Sequence, residues 1–229
     1  MLLVGTNSVI RYELRFNDDQ IKKALNASWK RHIRQTINDN LRSLESAIKE
    51  RYAVNVRKTR TYINLSRDDT KFRTEIGIPN SSSVLKTIIN SLLENVEVRM
   101  GRVENDNLDY MIPLNIILWN DKILKAVLNS PGASYFSESL RAGTIHEVPW
   151  LEWLLLRGTE PVVFGYRVMY DKSAWSRTDN AIMVKSNSED FSVREDLSGT
   201  KDDNFITEAA INLSEELPEI IQKEIVRKL

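Results

Sequence analysis

Residues 18–52, DDQIKKALNASWKRHIRQTINDNLRSLESAIKERY, run without a proline or a glycine. Ile21, Leu25, Trp29, Ile33, Ile37, Leu41, Leu44 and Ile48 recur in steps of four with one step of three, the stripe of a helix that buries one side. At 1.5 Å rise per residue such a helix is roughly 50 Å long and can project from a small domain. Its other side carries Lys22, Lys23, Lys30, Arg31, Arg34, Arg42 and Lys49, with no acid between Asp19 and Asp39. A solvated face on a core helix is the plainer reading; a surface beside DNA phosphates is the sharper one. Just upstream, Ile10, Tyr12, Leu14 and Phe16 alternate with Arg11, Glu13 and Arg15, which predicts a half-buried strand. Asn17 or Asp18 then caps the helix.

Downstream the period changes repeatedly. Val54, Val56, Tyr62, Ile63 and Leu65 predict one or two short strands, and Phe72 to Ile78 another, stopped by Pro79. A helix follows over 83–94, then a strand on Val96, Val98 and Met100. Asp109 to Trp119 is apolar enough for the interior, but Pro113 argues against a central strand. Asp121 to Leu128 reads as a short helix, and the polar stretch to Thr144 as loop or a short helix around Phe136 to Leu140. A compact apolar helix starts at Pro149 and closes at Gly158. Pro161 to Tyr170 and Ala181 to Lys185 predict strands, 186–203 a surface loop, and Pro218 divides the tail into helices over 203–214 and 218–228. The fold class is α+β: a long N-terminal helix, a central, predominantly antiparallel sheet and short C-terminal helices, in one domain spanning 1–229.

Composition narrows the function. A hydrophobic fraction of 41% with 28% charged residues belongs to a globular chain. Lys plus Arg and Asp plus Glu number 32 each, so the basic excess of a dedicated nucleic-acid binder is missing. No cysteine means no disulfide, thiolate metal site or cysteine nucleophile. The start, Met1-Leu2-Leu3-Val4-Gly5, lacks a basic leader, and no apolar run approaches the ~20 residues of a bilayer span; the expectation is a chain made and kept in the cytoplasm, with no membrane partner. The sequons at Asn26, Asn64, Asn80 and Asn212 are then chance matches. His32 and His146 stand far apart, and no nucleophile elbow, Walker loop, dinucleotide fingerprint or zinc-protease motif occurs. Asp68-Asp69 and Asp202-Asp203 pair carboxylates, but adjacent side chains diverge and no spacing supplies a third ligand. Neither a metal nor a cofactor is expected.

Binding is the better-supported class. Trp150 and Trp153 share one helix face, Leu154 lies a turn beyond Trp150, and Leu151 and Leu155 turn another way. Burial within the subunit explains such a helix; so does anchoring to a neighbour. Asn204 reads as an N-cap with Phe205 and Ile206 behind it.

Three strings then stand in order: Pro149-Trp-Leu-x-Trp-Leu-Leu-x-x-Gly158, Ser176-Arg-Thr-x-x-x-Ile-Met183 and Gly199-Thr-x-x-x-Asn-Phe-Ile-Thr207. Together they resemble the C-terminal half of tailed-bacteriophage neck (head–tail connector) and tail-completion structural proteins, over residues 146–158, 176–186 and 198–210; 54–145 has no counterpart. Where a basic residue is expected after Thr207, this chain has Glu208. The resemblance implies a non-enzymatic virion subunit, assembled in the host cytoplasm, that forms a homo-oligomeric ring, hexamer or dodecamer, in the neck. Its partners are the portal or connector and tail-terminator proteins, with DNA passing transiently through the lumen. Trp150, Leu151, Trp153, Leu154, Leu155, Asn204, Phe205 and Ile206 are the interface candidates, with the polar loop 186–203 beside them. Lys30, Arg31, Arg34, Arg57, Lys58 and Arg60 are the DNA-proximal ones. The rival assembly reading is a tail-terminator or tail-completion protein capping the tail tube. From another class, the rival is a metal-dependent nucleic-acid-processing enzyme built on Asp68, Asp69 and the basic strip 57–60.

Overall fold

A computed structural model describes residues 8–16, 27–67, 70–78, 81–101, 104–106, 109–138, 145–170, 176, 178 and 180–228. The chain is α+β, with a long N-terminal helix, small antiparallel sheets and a C-terminal helix. Read from its sequence as one domain, it divides into two compact units: Met1–Val54 with Leu93–Leu124 and Ala210–Leu229, and Asn55–Leu92 with Lys125–Ala209.

In the first unit, β1 (Ser8–Phe16), β2 (Glu97–Met100), β3 (Glu104–Asp106) and β4 (Asp109–Trp119) form an antiparallel sheet. β4 is central, with β1 on one side and β2 and β3 on the other. Ile112, Leu114, Ile116 and Leu118 are buried, whereas Pro113, Asn115 and Ile117 between them are only half-buried, the period-two signature of a one-sided core. The expectation that Pro113 excludes a central strand is corrected, and the reason is local. Gly101 donates to the Pro113 carbonyl (2.7 Å), so Pro113 turns its backbone polar groups toward the step between β2 and β3. The N–H that proline lacks is thus not one that the β1 ladder needs. A Cβ at Gly101 would lie 2.7 Å from Pro113 Cγ, so only glycine fits opposite the ring.

α1 (Ala27–Lys58) packs its stripe in this unit: Ile33, Ile37, Leu44, Ile48 and Tyr52 are buried, with Leu41 partly so. Residues 17–26, including Ile21, Leu25, Lys22 and Lys23, lie outside the described ones. Tyr52 Oη donates to the Leu118 carbonyl on β4 (3.3 Å). Burial raises the Tyr52 phenol far above its ordinary pKa, so it stays a neutral donor. α7 (Phe205–Glu224) is one helix, not two, followed by a 3-10 turn over Val226–Lys228. An interior proline costs about 3 kcal/mol, but Pro218 is exposed while Leu213, Leu217 and Ile221 are buried at i, i+4, i+8. Three such burials, at ~1.5–3 kcal/mol each, outweigh the break. α7 runs antiparallel to α1, tied by Ser43 Oγ donating to Glu224 (2.6 Å) and by Arg51 on Glu216.

The second unit begins with the largest correction. Val54 to Leu65 is helical: α1 continues to Lys58, and α2 (Arg60–Ser66) follows. Val54 and Val56 look like strand alternation, but Val56 extends the buried helical stripe four residues after Tyr52. Packing overrides the weak preference of β-branched residues. Thr59 breaks the run and caps α2, its Oγ1 accepting from Tyr62 N–H (3.4 Å). Phe72 to Ile78 is likewise not a strand but α3 (Lys71–Ile76), ended by Gly77 at φ +73°. α4 (Ser81–Glu94) and α5 (Asp121–Leu128) match the periodicity.

The remaining strands make narrow ribbons. Among the described residues β5 (Tyr135–Glu138) pairs with β6 (Ile145–Val148) and no other strand, correcting the loop or helix read around Phe136; Leu140 lies outside the described residues. α6 (Trp150–Leu156) follows. The strand expected over Pro161 to Tyr170 is split into β7 (Pro161–Val163) and β8 (Tyr166–Met169). Gly165 at φ +71° makes the kink, its N–H donating to Asp190 Oδ1 (2.7 Å) and its carbonyl accepting from Ser186 N–H (2.8 Å). β8 pairs with β9 (Ile182–Lys185), and β7 with β10 (Phe191–Ser192), a strand inside the segment read as loop.

Candidate assembly surface

The three strings turn out to organise the interior of the second unit. Trp150, Leu151, Leu154 and Leu155 are fully buried and Trp153 is 9% exposed. Trp150 Nε1 donates to the Gly132 carbonyl (2.7 Å), and Leu151 N–H to that of Ala133 (3.2 Å). The Trp153 ring meets Phe191 at 6.4 Å between centroids and 59°, an edge-on packing. A helix greasy on most sides is covered here by its own chain. The interface assignment of Trp150, Leu151, Trp153, Leu154 and Leu155 is therefore corrected to core.

The third string is a cap. Asn204 Oδ1 accepts from Ile206 and Thr207 N–H (3.0 and 3.2 Å), and Thr207 Oγ1 accepts from Asn204 N–H (2.8 Å), a reciprocal closure of the α7 N-terminus. Asn204 Nδ2 donates back to the Thr200 carbonyl (2.8 Å). Asn204, Phe205 and Ile206 are buried, so they too leave the list of surface candidates. Gly158 N–H donates to the Gly199 carbonyl (2.9 Å), joining the first string to the third. At Gly199 a Cβ would fall 2.5 Å from Asn204 Cβ. In the second string the buried Ser176 hydroxyl donates to the Ala181 carbonyl (2.6 Å) and accepts from Asn180 and Ala181 N–H (3.1 and 3.2 Å). One side chain folds that loop; Arg177 and Asp179 lie outside the described residues.

The most exposed large apolar side chains among the described residues lie elsewhere, on the ribbons, with Ile63, Ile211 and Val226 exposed on helical segments. Phe136 and Ile145 on β5–β6 are 67% and 70% exposed, and Phe164 at the β7–β8 kink is 71%. Tyr166, Met169, Tyr170 and Met183 join them on the β8–β9 ribbon. A two-stranded ribbon cannot bury a face by itself, and neither face of β8–β9 contains a buried residue. Alternation in YRVM and IMVK signals the strands, but no local pattern says how many neighbours each will have. Tyr170 is tied back, donating to Glu75 with Lys71 Nζ 5.3 Å from its ring centre; partial burial, then Glu75, raises its pKa.

The basic candidates do not converge. Arg31 and Arg34 are exposed near the start of α1, where the Lys30 side chain lies outside the described ones. Arg57 and Lys58 are exposed at its end. Arg60 is paired with Asp196 (2.7 Å), which also holds Arg194 (3.0 Å). Among the described residues no three His, Asp or Glu side chains cluster to hold a metal, and Asp68 and Asp69 lie outside them. Asp202 and Asp203 are exposed before α7. No helix among the described residues is long and apolar enough to cross a membrane. Comparison with family models, curated proteins and solved structures found no match.

Proposed function

We propose that this chain is a structural subunit of a tailed-phage neck, one copy of a homo-oligomeric ring between the portal or connector and the tail, through which DNA passes, and that it is not an enzyme. The observation that carries this reading is the group of exposed apolar side chains on and beside two-stranded ribbons, Phe136, Ile145, Phe164, Tyr166 and Met183, among which Phe136, Ile145 and Phe164 are the most exposed large apolar residues of the described ones. Exposed apolar side chains grouped on a ribbon are what an assembly surface presents before it is covered. The three strings carry the family resemblance in the sequence alone; in the fold they are capping and packing devices of the second unit. Exposed basic residues at both ends of α1, balanced by equal acidity over the chain, suit a lumen along which phosphate slides rather than sticks.

Two measurements test the reading. Light scattering on the purified chain, alone and with portal and tail-terminator proteins, is expected to give a discrete oligomer or co-assembly. Mass spectrometry of purified particles is expected to find the chain in the virion. A lone subunit with magnesium-dependent nuclease activity that Asp68→Ala with Asp69→Ala abolishes would replace this reading with the enzymatic one.

A further inference from the structure

The chain carries two ribbon faces of opposite electrostatic character, and we infer that they are the two halves of one contact between successive copies: the β5–β6 face of one subunit packs on the β8–β9 face of the next. The inference rests on the ring reading above and names its contact.

Register fixes the faces. Phe136 stands opposite Glu147, and Ile145 lies two residues from Glu147, so Phe136, Ile145 and Glu147 share one face of β5–β6. On β8–β9, Tyr166 stands opposite Lys185 and Val168 opposite Met183, placing these four on one face. The first face is apolar with an exposed carboxylate. Glu147 accepts from Ser134 Oγ (2.6 Å), and no cation pairs with it among the described residues. The second is apolar with an exposed ammonium: Lys185 has no carboxylate partner among the described residues, whereas Arg167, on the opposite face, already faces Glu189 (3.9 Å).

Charge sign chooses the occupant. Two copies of the β8–β9 face set against each other would bring like charges together, and so would two β5–β6 faces. One of each pairs carboxylate with ammonium around an apolar centre. A contact between two different patches of the same chain is head-to-tail, the kind that closes rings. Both ribbons are two strands wide, so each gains from the other the second layer it lacks.

Because the chain has no cysteine, introduced thiols report this contact without background. Full-length Ile145→Cys and Met183→Cys chains are mixed at assembly concentration and treated with a short bis-maleimide. The expected result is a two-chain product in the mixture and in neither variant alone. In a second arm, Glu147→Lys and Lys185→Glu are each expected to raise the concentration for half-assembly by ~10-fold, and the two changes in one chain to restore it. No cross-linked product from the mixture, or a double variant no better than the singles, overturns the contact. If the unmodified chain still forms a discrete oligomer in that case, the ring reading stands and this contact alone falls. If the unmodified chain stays monomeric at every concentration and with its partners, both fall.

Discussion

α6 and the β8–β9 ribbon are comparably apolar in sequence, WLEWLLL against YRVM and IMVK, yet the first is sealed inside the second unit and the second is left open. The difference lies in what each can recruit from its own chain. A helix offers a cylinder that several segments can touch, and α6 gathers Gly132, Ala133 and Phe191 around it. A ribbon offers two flat faces and needs a layer against at least one of them. Aromatic content therefore marks where a chain must be covered, while the width of the sheet decides whether the cover is internal.

The severest way to break this contrast is Trp150→Ala. It removes a fully buried indole and leaves the Gly132 carbonyl without its donor, so urea unfolding should show a loss of about 3–5 kcal/mol. An unchanged midpoint would put α6 back on the surface. Next comes Asn204→Ala, which strips the α7 cap and should lose about 1–2 kcal/mol in the same assay, more than an exposed cap would. On the open side the order reverses. Phe164→Ser and Met183→Ser should leave unfolding within ~0.5 kcal/mol of the parent while weakening self-association in light scattering. A stability loss like that of Trp150→Ala would erase the distinction between the two regions.

The smallest effect belongs to neither region and serves as a baseline. The Ser43 hydroxyl, then Lys228 Nζ, hold the Glu224 carboxyl below its ordinary pKa. A depressed carboxyl stabilises the folded chain above its unfolded-state pKa, and that contribution is lost as pH falls through the folded value. Glu224→Gln should therefore flatten the acid limb of stability measured by thermal melts between pH 6 and about 3, with little change for Trp150→Ala relative to its own neutral value.

β1 was legible in advance from its alternation, and the stripe of α1 from Ile33 to Ile48, α4, α5 and α6 were legible because their period matched their burial. Helices α2 and α3 were not, because each is under two turns and alternation over so few residues fits either period. Phe72, Thr74, Ile76 and Ile78 are all buried, as a strand face would be, although Phe72 to Ile76 lie in a helix. Pro113 and Pro218 misled for a related reason. A proline forbids one hydrogen bond, and only the fold says whether that bond was wanted. As for the site, the strings that named Trp150 and Asn204 pointed to residues that build the unit, whereas Phe136 and Ile145 carried no signal, since exposure of a short strand depends on neighbours remote in sequence.

The ties between α1 and α7 have a mechanical consequence. Ser43 with Glu224 and Arg51 with Glu216 lie eight residues apart on both helices. Sliding either helix by one turn, about 5.4 Å, breaks both ties together rather than one after the other. A pull along α1 is thus resisted in shear by two bonds loaded in parallel, which makes the pair behave as a latch with a single release force rather than as a zipper.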